Sequence, residues 1–414
     1  MVNEGFISRG IQQYRMPTET VAQTVVLDLE TSNRKNNKIQ KCIDQYQEMS
    51  KYVSDIIVSF NENQWSTMNP QFYRNVVEEW GDDRYVSGQV AMEAIEDVVG
   101  GYKSWRSNGK VGNTPVFGNQ NYVRAKNQQI TVEENNKGYG IKFNIVPYKP
   151  EWFHINDNEF SVKYLDKIVE EEASFGTCEI HKDGDQLKAH LVVTWDVNVV
   201  DEDDVETVIG VDLGENVIYT YSVLSEDGFE NVELKDGSEF RHHRERLKEK
   251  RSQMMANGDL KGVKECRGQH EKYTEQVLHT ASKDIVKEAT QYPNSKIVLE
   301  DLTNYRKTAS NAIHDWPYAL AQEMIMYKAK AKGIPVEVVD PRNTSKTCRN
   351  CGYVHSSNRN RHQFECGECG YEVHADVNAS MNIAFRGSDF EREMFGIVQE
   401  TQPSEDIRDS LFQY

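Results

Sequence analysis

The sequence predicts an α+β multidomain protein: a β-rich first half carrying a helical block, then an α/β sheet domain interrupted by a small cysteine-rich insert. Three observations carry that reading. Apolar residues alternate with period two around Ile141–Ile145 and the Asp183-Gly184 turn, helical spacing governs the residues from Lys38 to Val99, and three strands followed by helix, strand, helix and strand lie beyond an acidic run at Asp201–Asp204. A chain of 414 residues also exceeds one ordinary hydrophobic core.

The first element is the alternating strand TVVLDLE, which begins at Thr24. Ile39, Ile43, Tyr46, Val53 and Ile57 then recur at helical spacing, and helix signals continue from Phe72 to Val99, where Gly100 and Gly101 are expected to stop them. Residues 35–100 thus read as a helical insertion. From Gly101 to Asn127 come Lys103, Arg106, Lys110, Arg124 and Lys126 without one acid, interleaved with Tyr102, Trp105, Phe117 and Tyr122. Tyr102 and Trp105 could stack on bases, although core packing is the commoner use of such rings. The β-rich remainder reads as a barrel with one helix, assembled from residues 1–34 and 101–204 and closed by the acid run, since a block of like charge is normally solvated.

Beyond the run, Val208, Ile209 and Val211 lead through Asp212 to a Gly214-Glu215-Asn216 turn, then to strands at Val217–Leu224 and Phe229–Leu234. A long charged helix is expected to about Gln291. Ile297, Val298 and Leu299 form a buried strand ending at Glu300-Asp301; a helix begins at Trp316 with Pro317 in its first turn and ends at Gly333, before a strand over Ile334–Val339. This order fits a sheet of the ribonuclease-H type, spanning residues 205–340 and 375–387. Ser388 to Tyr414 carries seven acids against two arginines and reads as a disordered acidic tail.

Lys and Arg number 48 against 66 Asp and Glu, a formal charge of −18, which is opposite to the balance expected of a nucleic-acid binder. The mean hydropathy of −0.72, the lack of a long apolar run and the polar N-terminus predict a soluble cytoplasmic protein without a signal peptide. Three of the seven cysteines are scattered, whereas Cys348, Cys351, Cys366 and Cys369 form two CxxC pairs, the second cysteine of each followed closely by a turn. Such paired knuckles can bring four thiolates onto one tetrahedral zinc ion at ~2.3 Å. With all four positions taken by sulfur, that zinc is structural. Catalysis must then lie elsewhere.

Asp212 interrupts VIGVDLG and Glu300 ends KIVLEDL, places where an uncompensated charge would cost several kcal/mol if buried. Each alone reads more readily as an exposed or salt-bridged strand-end acid, and Asp376, opening DVNASMNIAFRG, as an N-cap. Taken together at one sheet edge they would make an oxygen-ligand pocket suited to Mg²⁺ or Mn²⁺. Two such ions can generate an attacking hydroxide and stabilise the leaving oxygen of a phosphodiester.

The runs GVDLGEN, LEDL, YKAKAKGI, VDPRNTSKTCRNCG and FECGECGYEVHADVNASMNIA together resemble the TnpB (OrfB-type) insertion-sequence proteins, relatives of type V CRISPR effectors, over roughly Val208–Gly387. The resemblance implies a RuvC-like nuclease with a zinc ribbon, residues 341–374, inserted before the last of three acids in the order Asp, Glu, Asp; Asp212, Glu300 and Asp376 occupy those places. It further implies a wedge-like barrel carrying a helical recognition insertion, and an RNA-guided DNA endonuclease that pairs a transposon-derived guide RNA with target DNA. Such proteins are often labelled transposases; no Tyr or Ser nucleophile motif supports strand transfer here. A nuclease-silent guided or zinc-ribbon DNA binder regulating transposition is the alternative, against which the three acids argue.

Two basic segments fit nucleic-acid contact. Arg241, Arg244, Lys248 and Arg251 recur at three- or four-residue spacing, a face that reads equally as a solvated helix laced with Glu245 and Glu249; Arg342, Lys346, Arg349, Arg359 and Arg361 lie in an acid-free stretch. The acidic balance, together with FRHHRERLKEKR and GYEVHADVNA, most resembles haloarchaeal members, for which concentrated salt would make net charge unimportant beside direct contacts.

Overall fold

In the first of two compact units, Thr20–Asp196, the apolar alternation of the sequence becomes one sheet. Its strands are β1 (Thr18–Leu29), β2 (Tyr122–Ala125), β3 (Ile130–Asn135), β4 (Gly138–Phe143), β5 (Glu151–Asn156), β6 (Ala173–Asp183) and β7 (Gln186–Asn198), in the order β2-β6-β7-β1-β5-β4-β3. Val25, Leu27, Ile141, Phe143, Phe153, Ile155, Leu191 and Val193 are buried at the alternate positions that a one-sided sheet requires. Helices α1 (Asn33–Val58), α2 (Pro70–Trp80) and α3 (Gly88–Ser107) follow β1, and α4 (Glu159–Val169) follows β5. The computed structural model describes residues 17–58, 70–81, 84–109, 114–301 and 316–389; Lys110 and nearly all of the expected acidic tail lie outside them.

Gly100 and Gly101 do not stop the helix, contrary to the expectation, since α3 runs through both to Ser107. Gly101 instead makes room for a neighbour: a Cβ there would sit 2.6 Å from the ring of Phe117, which packs beside Tyr102. Gly101 is thus a packing device within an otherwise well-formed helix, while a Cβ on Gly100 would meet no described neighbour within 4 Å. The basic run that follows is largely spoken for: Arg124 pairs with Asp97 and Glu179, and Lys126 with Glu93 and Glu96.

The second unit, Met1–Glu19 with Val197–Tyr414, holds a five-stranded sheet in the order β10-β9-β8-β11-β12. Its strands are β8 (Thr207–Leu213), β9 (Val217–Ser225), β10 (Gly228–Asp236), β11 (Ser295–Glu300) and β12 (Val336–Val339). The first three form the expected antiparallel meander, and β11 lies parallel to both β8 and β12. The acid run forms a short 3-10 turn, Glu202–Asp204, a few residues past the division between units.

The single charged helix expected before β11 is two, α5 (Ser238–Ala256) and α6 (Leu260–Ala289). Gly258 takes φ +72° between them and the Asp259 side chain accepts from the amide of Gly262, so one helix ends and the next is capped. α7 (Tyr318–Lys330) starts after Trp316, not at it; Pro317 occupies the cap position and Trp316 is buried edge-on against Phe240. α6 and α7 cover one face of the sheet around Ile209, Val211, Ile285, Ile297 and Ile325. The other face, with Val208, Leu224 and Val298, is covered by Ile383 and Ala384 of the helix α8 (Ala375–Arg386). Between β12 and α8 stands a ribbon of three short strands, β13 (Arg359–Asn360), β14 (Gln363–Glu365) and β15 (Glu372–His374). Among the described residues, no helix is long and apolar enough to cross a membrane.

Candidate active site and metal centre

The position of the acids follows from one glycine. Gly210 is in register with Val298 of β11 and Ser222 of β9, and a Cβ on it would run into the backbone of Ser380 and Ala384. α8 therefore lies directly on β8, and Ser222 meets Ser380 hydroxyl to hydroxyl at 2.6 Å. Two residues along each strand, on the same face, the parallel register brings Asp212 level with Glu300. One helical turn before Ser380 stands Asp376. The three carboxylates, 164 residues apart from first to last in numbering (376 − 212), line one cleft of about 770 Å³.

Asp376 is not the N-cap that its sequence context offers: His374 caps α8, its Nδ1 accepting from the Asp376 amide at 3.3 Å, which leaves the Asp376 carboxylate for the cleft. Arg359 of the ribbon donates to that carboxylate at 2.7 Å, and the Thr344 hydroxyl donates to Glu300. Burial, then the charges of Glu300 and Asp376, pushes the Asp212 carboxyl well above its ordinary range, with Arg359 opposing. Burial likewise raises Glu300, against Thr344, Arg386 and Arg359. The cleft carries more negative charge than Arg359 balances. Beside it the Thr220 hydroxyl, opposite Asp212 in register and fully buried, finds no hydrogen-bond partner among the described residues. An all-oxygen donor set with an unspent hydroxyl fits a hard divalent cation.

The four ribbon cysteines come together as their spacing predicts. Cys348 and Cys369 Sγ are 3.7 Å apart, Cys351 and Cys366 Sγ 3.6 Å, and all four sulfurs lie within 4.8 Å of one another. A tetrahedron of ~2.3 Å metal–sulfur bonds has edges of about 3.8 Å. The two knuckles repeat each other: Gly352 N donates to Cys348 O and Cys348 N to Tyr353 O, while Gly370 N donates to Cys366 O and Cys366 N to Tyr371 O. Both glycines take positive φ, +78° and +69°. The sulfur set fits zinc.

The proposed nucleic-acid residues fare unevenly. Tyr102 is buried, 3% exposed, and shares a hydrogen bond with Ser54, so it is core; Trp105 is half-buried. Arg349 is also buried, its guanidinium packed against the rings of Phe229 and Phe385. Arg241 donates to Asn216 and Arg244 pairs with Glu215, both on the β8–β9 turn at the cleft rim. These two arginines anchor the turn, because the first turns of α5 lie beside it. Lys248, Arg251 and Lys346 are exposed, and Arg342 is exposed and pairs with Asp340. Thr220, Thr344 and His362 line the cleft without having been singled out, since only the folded ribbon and meander deliver them there, and Arg361 of the basic stretch lines it too.

This sheet, with acids at adjacent parallel strand ends, a covering helix and an inserted ribbon, defines a ribonuclease-H-like, RuvC-type fold. Residues 318–383 match the Cas12f1-like TNB domain family. The chain is 29% identical over 241 residues to the CRISPR-associated endodeoxyribonuclease Cas12f1 of Sulfoacidibacillus thermotolerans, covering 54% of this chain and 56% of that protein. It is also 29% identical over 269 residues to the TnpB-like protein MJ0751 of Methanocaldococcus jannaschii, covering 61% and 92%. The aligned stretch thus spans little more than half the length of that Cas12f1. In fold, the chain superposes on the Cas12f1 of a Cas12f1-sgRNA-target DNA complex with a TM-score of 0.60 at 15% identity, over 89% of this chain and 99% of that one. The chain is thus similar both to a TnpB-like protein and to Cas12f1 nucleases.

Proposed function

We propose that the protein is a transposon-encoded, RNA-guided DNA endonuclease whose divalent-metal site is Asp212, Glu300 and Asp376. The observation that carries the reading is the convergence of these three acids from β8, β11 and α8 in one cleft. The names of the sequence relatives and of the superposed complex support the substrate class: target DNA chosen by a guide RNA, with base pairing supplying the sequence choice.

Asp212 and Glu300 would hold Mg²⁺ or Mn²⁺ from the strand ends, and Asp376 would close the set from the helix. Such ions, when bound, lower the pKa of a coordinated water and stabilise charge on a phosphodiester. Thr344 fixes one Glu300 oxygen, and Arg359 holds Asp376 while offering a cation at the cleft for a phosphate. Cys348, Cys351, Cys366 and Cys369 would hold one structural Zn²⁺, which fixes the ribbon and so Arg359. Lys248, Arg251, Arg342 and Lys346 would contact nucleic-acid backbone, their charge acting locally on an acidic body.

The test is the protein purified with its copurifying RNA, in Mg²⁺, on DNA matching that RNA. Cleavage that Asp212→Asn or Glu300→Gln abolishes, with RNA binding retained, is the expected result. Undiminished cleavage by either variant overturns the site assignment. Guided binding of matched DNA with no cleavage by the wild type gives the nuclease-silent reading instead.

A further inference from the structure

A second cluster of metal-ligating side chains stands in the other unit, on the sheet. Glu179 and His181 are two residues apart on β6, so their side chains leave the same face, and His190 of β7 is the cross-strand partner of Glu179. One carboxylate and two imidazoles are thereby brought to one spot by backbone register alone. Glu179 Oε2 is 3.0 Å from His181 Nε2, the two imidazole rings stack at 4.1 Å, and one ligand atom from each of the three lies within 4.8 Å of the others. Neighbouring ligands on a tetrahedral zinc with ~2.05 Å bonds are about 3.3 Å apart, within a small side-chain rotation of this arrangement.

Two details favour a metal over a simple ion-pair network. Arg124 donates to the other oxygen of Glu179, Oε1, at 2.5 Å and pairs on its far side with Asp97. It orients the carboxylate and leaves Oε2 facing the histidines, as an outer-shell partner does. The His190 imidazole, for its part, has no side-chain hydrogen bond among the described residues, although it stacks on His181 beside the carboxylate. An imidazole with an unspent nitrogen, next to a carboxylate and a second imidazole, is a ligand set for a borderline-soft cation. We infer that Glu179, His181 and His190 form a site for a transition-metal ion of the Zn²⁺ class, tying β6 to β7. The inference does not rest on the nuclease reading: a protein that cuts no DNA would still carry the ion.

The ribbon cysteines would take the same kind of metal, so the test must tell the two apart. The full chain is stripped with chelator and reloaded with Co²⁺ in excess Mg²⁺, which keeps the carboxylate cleft filled. About two Co²⁺ per chain are expected, one giving the intense sulfur-to-metal charge-transfer absorption of a thiolate site and one giving only weak visible bands. His190→Ala and Glu179→Gln should each reduce the count to about one with the charge-transfer band intact, that band reporting a folded ribbon. Cys366→Ser should remove the band and leave the weak-band ion. About one Co²⁺ in the wild-type chain with the thiolate band saturated, or a count that neither His190→Ala nor Glu179→Gln lowers, overturns the inference.

Discussion

Asp212 and Glu300 are carboxylates that the fold holds in their least comfortable state, partly buried and facing one another and Asp376. A divalent cation bound there would relieve that repulsion, and protons and metal would then compete for the same oxygens. Because both acids are raised, the competition sets in at higher pH than for ordinary carboxylates: Mn²⁺ affinity, measured by titration against pH, should fall on acidification well above the usual values near 3.8 and 4.5. Affinity that holds unchanged down to pH 4.5 would contradict the burial argument. Thr344→Val removes the hydroxyl that donates to Glu300 and should cost about 1.5 kcal/mol, roughly tenfold in the cleavage rate. Asp212 and Glu300 stood out in the sequence as carboxylates in apolar strands, but each alone read more readily as an exposed or salt-bridged acid, and only the motif resemblance set them beside Asp376. Thr344 and Arg359 did not stand out, since nothing in a loop threonine or one arginine among five basic residues says which will reach the acids. Tyr102 and Arg349 misled for the converse reason: composition registers an aromatic or a charge but not which way it faces, and both point inward.

At the level of elements, the contact of α8 with β8 decides whether Asp376 reaches the cleft. Gly210→Ala puts a methyl into the backbone of Ser380 and Ala384, which cannot yield as a side chain end would. Destabilisation of about 2 kcal/mol, read as a lowered Tm, and loss of cleavage even where the variant is folded are expected. In the other unit, α1 is fastened to β5 through Glu151, which pairs with Lys38 at 2.9 Å and Arg34 at 2.5 Å. Burial alone would raise the Glu151 carboxyl, but Lys38 and Arg34 outweigh it and hold the group below its ordinary 4.5. With the folded value depressed, this contribution is present above pH 4.5 and is lost as pH falls through the folded value. Lys38→Met should therefore lower stability by about 2 kcal/mol at pH 7 and by much less once Glu151 is protonated; Tm measured at both ends of that window checks it. An equal loss at both pH values would show that packing and not charge joins the helix to the strand. Helices and strands were mostly legible from apolar period. Their interruptions were not: Gly101 sits inside a helix where Phe117 presses on it, beside a Gly100 that meets no neighbour, whereas Gly258 ends a helix with its backbone at φ +72°. Local sequence does not distinguish the two uses.

For the molecule as a whole, charge and order of elements told different amounts. The succession of three strands, helix, strand, helix and strand fixed the type of the second sheet, and the two CxxC pairs located the ribbon inside it. A net charge of −18 argued against nucleic acid, yet it is an average over a surface on which Lys248 and Arg251 stand exposed on one helix. Replacing both by Ala should weaken RNA binding at low salt and flatten the slope of log affinity against log salt by roughly 1.5, as two lost phosphate contacts require. An unchanged slope would return α5 to the role of a solvated helix. The account turns, finally, on whether three acids so distant in sequence act as one cation site. Crystals of the wild-type protein soaked in Mn²⁺ should show anomalous density in contact with the carboxylates of Asp212, Glu300 and Asp376, and Asp212→Asn crystals should lose it; saturating Mn²⁺ with no density among those three side chains would contradict the account.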